Sequence, residues 1–172
     1  MVPFYAGQRL TAGVLNLIPR GIIGGREITG TGNLGAAITT VETMPTNMNS
    51  GTVNLEPRRR YKVRARYKMS GTVATDVWVI RIREGVSAGT TGTQIRQDVR
   101  DTVATSFGFT WELSADYETG SSAVSRVFSL TAVRAGGSGS LQFVGGDTGS
   151  TNPVGVWVYD DGPAGLLTVT AS

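Results

Sequence analysis

The densest charged feature of the sequence is a run of seven basic residues: Arg58, Arg59, Arg60, Lys62, Arg64, Arg66 and Lys68. On a β-strand the last four point to one side, about 7 Å apart, and continue a positive loop. Such a stripe suits phosphate, nucleic acid or an acidic protein surface. Nucleic-acid binders usually interleave aromatics for base stacking. Here Tyr61 and Tyr67 fall on the opposite, core-facing side of the strand, which disfavours nucleic acid. An acidic partner surface and a plain solvated face both stay open, and like charges along one face also discourage edge-to-edge aggregation.

Carboxylates supply a second candidate. Asp160-Asp161-Gly162, with Asp147 nearby in sequence, could bind calcium or serve a glycosidase. No EF-hand spacing is present, and adjacent Asp residues at a strand end read first as a turn, so calcium at Asp160 and Asp161 stays an open alternative. The Gly136-Gly137-Ser138-Gly139-Ser140 segment lacks the Gly-Lys-Ser/Thr of a phosphate loop and reads as a flexible hairpin. The sequence contains neither His nor Cys. That removes the usual general base, thiolate chemistry, and the commonest ligands of transition metals. The expectation is a protein that is not an enzyme, with no catalytic, metal or cofactor residues to nominate.

Aromatic residues at strand spacing are a third candidate. Trp78, Phe107, Phe109, Trp111 and Tyr117 read as core. Trp157 and Tyr159 alternate with Val154, Val156 and Val158, so one of the two sets faces outward. If it is the aromatic set, it is the best surface patch for a partner or a glycan.

The elements that would position these groups are short strands. The chain has 172 residues, 40% hydrophobic and 17% charged, with 24 glycines; that is enough apolar material for one domain and suits strands joined by tight turns. From residue 37 a period-2 pattern predicts strands over Ala37 to Met44, Gly51 to Leu55, Arg60 to Ser70, Thr75 to Arg83, Thr93 to Val99, Thr105 to Tyr117, Ala123 to Arg134, Ser140 to Val144, Val154 to Tyr159 and Leu166 to Thr170. Loops too short for crossover helices make the pairing antiparallel. The expected fold is all-β, an antiparallel β-sandwich or jelly roll spanning residues 37–172.

Residues 1–36 read differently, with eight of the 24 glycines. One short helix is possible, with Thr11 as cap, an apolar side of Leu10, Val14, Leu15, Leu17 and Ile18, and a stop at Pro19. At about two turns it needs a surface to lie on. Together with Ile22 and Ile23, those residues form either a strap across the chain's own domain or an arm docking on a neighbouring subunit; the arm is the preferred reading. No secretory signal or apolar stretch of membrane length is apparent, which predicts synthesis in the cytoplasm and no membrane partner. Charge is uneven: nine basic against two acidic residues from Glu56 to Arg83, three against five from Arg96 to Arg126, and three acidic residues with no basic one from Asp147 onward. Opposed regions of this kind suit packing between like subunits.

A family likeness rests on short motifs. The segment Gly7-Gln8-Arg9-Leu10-Thr11-Ala12-Gly13-Val14-Leu15-Asn16 resembles the opening of small virion proteins of tailed phages, those of actinobacterial hosts above all. Leu55-Glu56-Pro57-Arg58-Arg59-Arg60-Tyr61-Lys62-Val63 and Val158-Tyr159-Asp160-Asp161-Gly162-Pro163 are similar to other parts of the same proteins. The resemblance implies a virion component of capsid-decorating, head-fibre or minor tail type. Its partners would be phage capsid or tail proteins, with further copies of itself, taken as a trimer. The alternative is a carbohydrate- or receptor-binding module of a tail tip, engaging a host surface glycan.

Overall fold

In the strand Arg59–Gly71 the residues Tyr61, Val63, Ala65 and Tyr67 are buried, while the intervening Lys62, Arg64, Arg66 and Lys68 lie on the other side. That alternation is the period-2 signature of a sheet with one face in the core, and it recurs in most strands of the computed structural model. The structure describes residues 20–101, 110–146 and 153–164. The strands are β1 (Gly21–Ile28), β2 (Asn49–Leu55), β3 (Arg59–Gly71), β4 (Val77–Gly85), β5 (Thr93–Asp101), β6 (Thr110–Glu118), β7 (Val124–Gly136), β8 (Leu141–Val144) and β9 (Val154–Pro163). No helix occurs among the described residues.

Two antiparallel sheets face each other. One has the order β1-β9-β3-β6, with β8 continuing beside the far end of β3; the other has the order β2-β7-β4-β5. With β8 set aside, the hydrogen-bonded pairs β1/β9, β2/β7, β3/β6 and β4/β5 are first with last, second with last but one, and so on inward. This is one long antiparallel ribbon, rolled so that successive pairs alternate between the sheets. The topology is that of a jelly roll, a two-sheet form that manages exposed strand edges without closing a barrel. The expected fold class therefore holds, and the jelly roll is the form it takes.

The space between the sheets is filled by the chain's own side chains. Tyr61, Tyr67, Trp78, Ile80, Ile82, Phe128, Leu130, Phe143 and the valines of β9 are all essentially inaccessible to solvent. Tyr67 meets Phe143 at 5.7 Å between ring centroids and Tyr117 meets Phe128 edge-on at 5.3 Å, spacings typical of favourable aromatic pairs. Trp111 and Tyr117 pack against this core from the edge strand β6. Phe107 and Phe109 lie outside the described residues.

Among the described residues two stretches differ from the expected elements, and the expected strand Leu166 to Thr170 lies outside them. Residues 37–44 are not a strand but a strap across the side of the sandwich. Ile38 bridges to Leu141 in the first sheet and Thr43 to Ala132 in the second, so the backbone changes partners within a few residues and cannot keep one ladder. Leu34, Ile38 and Met48 enter the core along this path. Conversely, β1 lies within the segment read as an arm. Gly24 and Gly25 concealed it, yet both are required by packing. A Cβ on Gly24 would stand 2.7 Å from Val53 of β2, and one on Gly25 (φ +154°) would stand 2.8 Å from the Val156 carbonyl and 2.9 Å from the Trp157 indole. Residues 20–36 are thus built into the sandwich, and the proposed helix over residues 11–18 lies outside the described residues.

The first and last described residues lie at one end of the sandwich. Gly21 pairs with Asp160, and the Ala164 amide donates to the Arg58 carbonyl. The β2–β3 and β6–β7 turns lie at this same end. The β3–β4 and β7–β8 connections lie at the other.

Candidate functional site

The outer faces of the two sheets differ. On the second sheet, Glu42 of the strap reaches over β4 and β7. It accepts from Arg81 Nη1 at 2.6 Å, from Arg83 Nε at 2.6 Å and Nη2 at 2.8 Å, and from Thr131 Oγ1 at 2.5 Å. The hydrogen bond from Arg83 is the main reason its carboxyl titrates at about 2; burial opposes the shift, and Thr131 with the Arg83 and Arg81 charges adds to it. Loop 86–92 lies over the same face, with the Gly89 amide donating to Ser129 Oγ.

Among the described residues the outer face of the first sheet is accessible, and most of the basic stripe lies on it. Antiparallel register sets β3 against β6 so that Arg60 is opposite Glu118, Lys62 opposite Asp116 and Arg66 opposite Glu112. Arg60 Nε donates to Glu118 at 2.8 Å. Lys62 lies 3.8 Å from Asp116, and Arg64 and Arg66 lie 3.9 and 3.7 Å from Glu112. The stripe is therefore faced by an acidic stripe of the same sheet. Glu112, Asp116 and Glu118 carry that signal in the sequence, alternating with Leu113, Ala115 and Tyr117. Each exposed pair is worth about 0.2–1 kcal/mol.

Two members of the basic run stand elsewhere. Arg58 occupies the turn before β3 with φ +53° and is exposed. Arg59 turns inward and pairs with Asp160, the two side chains 5% and 2% exposed. Arg59 donates to Asp160 Oδ1 from Nε at 3.0 Å and Nη2 at 2.8 Å, and the Gly162 amide donates to the same oxygen at 2.9 Å. Asp160 is thus committed to an ion pair and a turn, whereas Asp161 is exposed. Asp147 lies outside the described residues. No group of three or more His, Cys, Asp or Glu side chains that could hold a metal ion occurs among the described residues.

The Gly136–Ser140 segment is wrapped around a buried carboxylate. Asp76, 2% exposed, accepts from the Ser138 amide at 3.1 Å and the Gly139 amide at 2.8 Å. The loop's donors are directed at the chain's own anion.

On β9 the valines face the core, and Trp157 and Tyr159 face outward, each partly exposed. With the Arg64 and Arg66 side chains they line a groove of about 250 Å³. Its walls are Ile22 and Glu27 of β1 on one side and Glu112 of β6 on the other, with Pro153 at one end. The Arg64 guanidinium carbon lies 5.2 Å from the Tyr159 ring centroid, a cation–π distance. Of the residues assigned to arm docking, Ile22 is 60% exposed beside this groove, and Ile23 packs against the core of its own domain. Leu10, Val14, Leu15, Leu17 and Ile18 lie outside the described residues.

No protein-family model and no curated protein matches the chain. Among solved structures it is similar to the infectious bursal disease virus Gt strain structure (16% identity, TM-score 0.36, 86% of this chain and 37% of that one). The Gx strain structure gives 15% identity, TM-score 0.39, and 83% and 36% coverage. The CBM22-1–GH10 modules of Clostridium thermocellum xylanase 10B, complexed with xylohexaose, give 15% identity, TM-score 0.35, and 88% and 30% coverage. The chain spans about a third of the length of each. At such identities and scores these likenesses fix neither kinship nor activity. No helix among the described residues is long and apolar enough to cross a membrane.

Proposed function

We propose that this chain is a non-enzymatic structural component of a virus particle, and more narrowly of a tailed phage. Residues 1–19 would anchor it to the capsid or tail, and the sandwich would be displayed outward. The observation that carries the reading is the jelly-roll topology, a form used by viral capsid domains and by lectins. Fold alone does not assign function, so the phage part rests on the resemblance of residues 7–16, 55–63 and 158–163. Geometry adds a polarity: Arg20 and Ala164 sit at one end of the sandwich, and residues 1–19, which bear the phage-like motif, join the sandwich there.

Burial of Val14, Leu15, Leu17 and Ile18 on a docking surface would contribute roughly 1.5–3 kcal/mol per side chain, offset by the entropy of ordering the segment. Self-association as a trimer belongs to the same proposal. Light scattering should then give a mass three times that of the 18.1 kDa chain.

The test is deletion of residues 2–19, which spares β1, Leu34 and the rest of the sandwich. Virions propagated with the truncated gene should lack the protein although it still folds. Incorporation at full occupancy would remove residues 1–19 as the anchor.

A further inference from the structure

Trp157 and Tyr159 are large aromatic side chains that the core does not use. Val154, Val156 and Val158 already fill the inward positions of β9, so packing does not account for the aromatic set. Register places Gly25 of β1 directly beside Trp157 on one side and Arg64 of β3 on the other. Gly25 has no side chain, and the indole Cδ1 lies 2.9 Å from where its Cβ would be. Trp157 therefore spreads into a space cleared for it, as part of a groove floor open to solvent.

The polar groups around that floor are mixed in sign. Arg64 and Arg66 supply guanidinium donors, and Glu27 and Glu112 supply carboxylate acceptors. The ion pairs of Arg64 and Arg66 with Glu112 measure 3.9 and 3.7 Å, longer than a hydrogen bond. They orient the groups without consuming them. Two cations and two carboxylates leave no net local charge, so neither a phosphate nor a polyanion is favoured. A hydroxyl both donates and accepts, and a pyranose ring presents such hydroxyls around an apolar C–H face. We infer that this groove binds a neutral carbohydrate, with Trp157 as the platform for one sugar face and Arg66 and Glu112 as partners for its hydroxyls. At about 250 Å³ the groove is smaller than the ~300–1,000 Å³ of sites that enclose small ligands. It grips one side of a sugar chain and leaves the other in water.

The inference goes beyond the particle reading and is tested separately. The full chain is titrated by calorimetry with cellohexaose, xylohexaose, maltohexaose and N-acetylchitohexaose, and with a hyaluronan hexasaccharide as the anionic comparison. At least one neutral hexasaccharide should bind, with affinity changing less than about twofold between low and high salt, because no counterions are released. Trp157→Ala should weaken that binding by at least about tenfold. Glu112→Gln, which keeps the side chain's size, should weaken it severalfold, and both variants should keep the wild-type circular dichroism spectrum. Failure of all four neutral sugars to bind at about 10 mM, weaker than any useful affinity, would overturn the inference. So would binding that survives Trp157→Ala, or binding of the anionic sugar only. A chain that enters particles but binds no sugar would refute this inference and leave the particle reading standing.

Discussion

Replacing Asp160 by Asn should destabilise the protein more than any surface substitution. The side chain keeps its size but loses its charge, and Arg59, 5% exposed, loses the buried carboxylate it pairs with. The amide also turns an NH2 group toward a guanidinium, donor against donor, or else gives up the Gly162 amide bond. Breaking one partner of a buried pair costs about 3–5 kcal/mol. Total stabilities of domains are about 5–15 kcal/mol, so the loss is a large fraction of the whole. With a urea m-value of about 2 kcal/mol/M, the midpoint should fall by roughly 1.5–2.5 M. The double variant Arg59→Met/Asp160→Leu removes both charges and should recover most of that loss, because apolar replacements of buried pairs are often neutral or better. A midpoint for Asp160→Asn within about 0.3 M of wild type, near the uncertainty of such extrapolations, would refute the assignment of Arg59 and Asp160 as a structurally essential pair.

Glu42 gives a pH-dependent prediction. Its folded pKa is lowered from 4.5 to about 2, so its contribution is full above pH 4.5 and is lost as pH falls toward 2. The difference integrates to roughly 3 kcal/mol, and between pH 5 and 2.5 wild type should lose about 2–3 kcal/mol more in urea unfolding than Glu42→Gln. Equal losses would show that the carboxylate is not held by Arg81 and Arg83. Gly137→Ala should cost about 1–3 kcal/mol, because φ there is +93° and a Cβ would stand 1.8 Å from Asp76 Oδ1; thermal melting reads it. Reversing Arg64 and Arg66 to Glu would set like charges around Glu112 and should lower stability by about 1 kcal/mol at low salt, with the deficit shrinking as salt rises. A salt-independent deficit would mean lost packing instead.

Much of this structure was legible from parity. The alternation in β3, β4, β7 and β9 fixed which residues face inward, since burying one face of a sheet leaves a period of two in the sequence. The same rule carried information that a reading by residue type passes over. Arg59 has the parity of Tyr61 and Val63, and Asp160 that of Val156 and Val158, so both belong to the core side of neighbouring strands. A basic cluster looks like a surface, and charge drew Arg59 out of its geometric place. The compensation of Lys62, Arg64 and Arg66 depends on the pairing of β3 with β6, across more than forty residues of chain, and no local window shows it. β1 was hidden because glycines lower strand propensity; there the bare backbone is what lets β1 approach β2 and Trp157. Residues 37–44 showed strand-like chemistry yet serve two sheets in turn, a tertiary choice that local pattern does not encode. In the groove, Trp157 and Tyr159 were visible as a set that could face outward, whereas the carboxylates on either wall appear only once the sheet order is known.

The most direct measurement is the position of the chain in an intact particle, by electron cryomicroscopy of purified virions. Anchoring through residues 1–19 requires jelly-roll density repeated with the particle's symmetry, the end bearing Arg20 and Ala164 toward the shell or tail and the groove of Trp157 clear of neighbouring subunits. Particles that lack the chain, or that hold it by the opposite end with the Arg20 end free in solvent, would contradict the proposal.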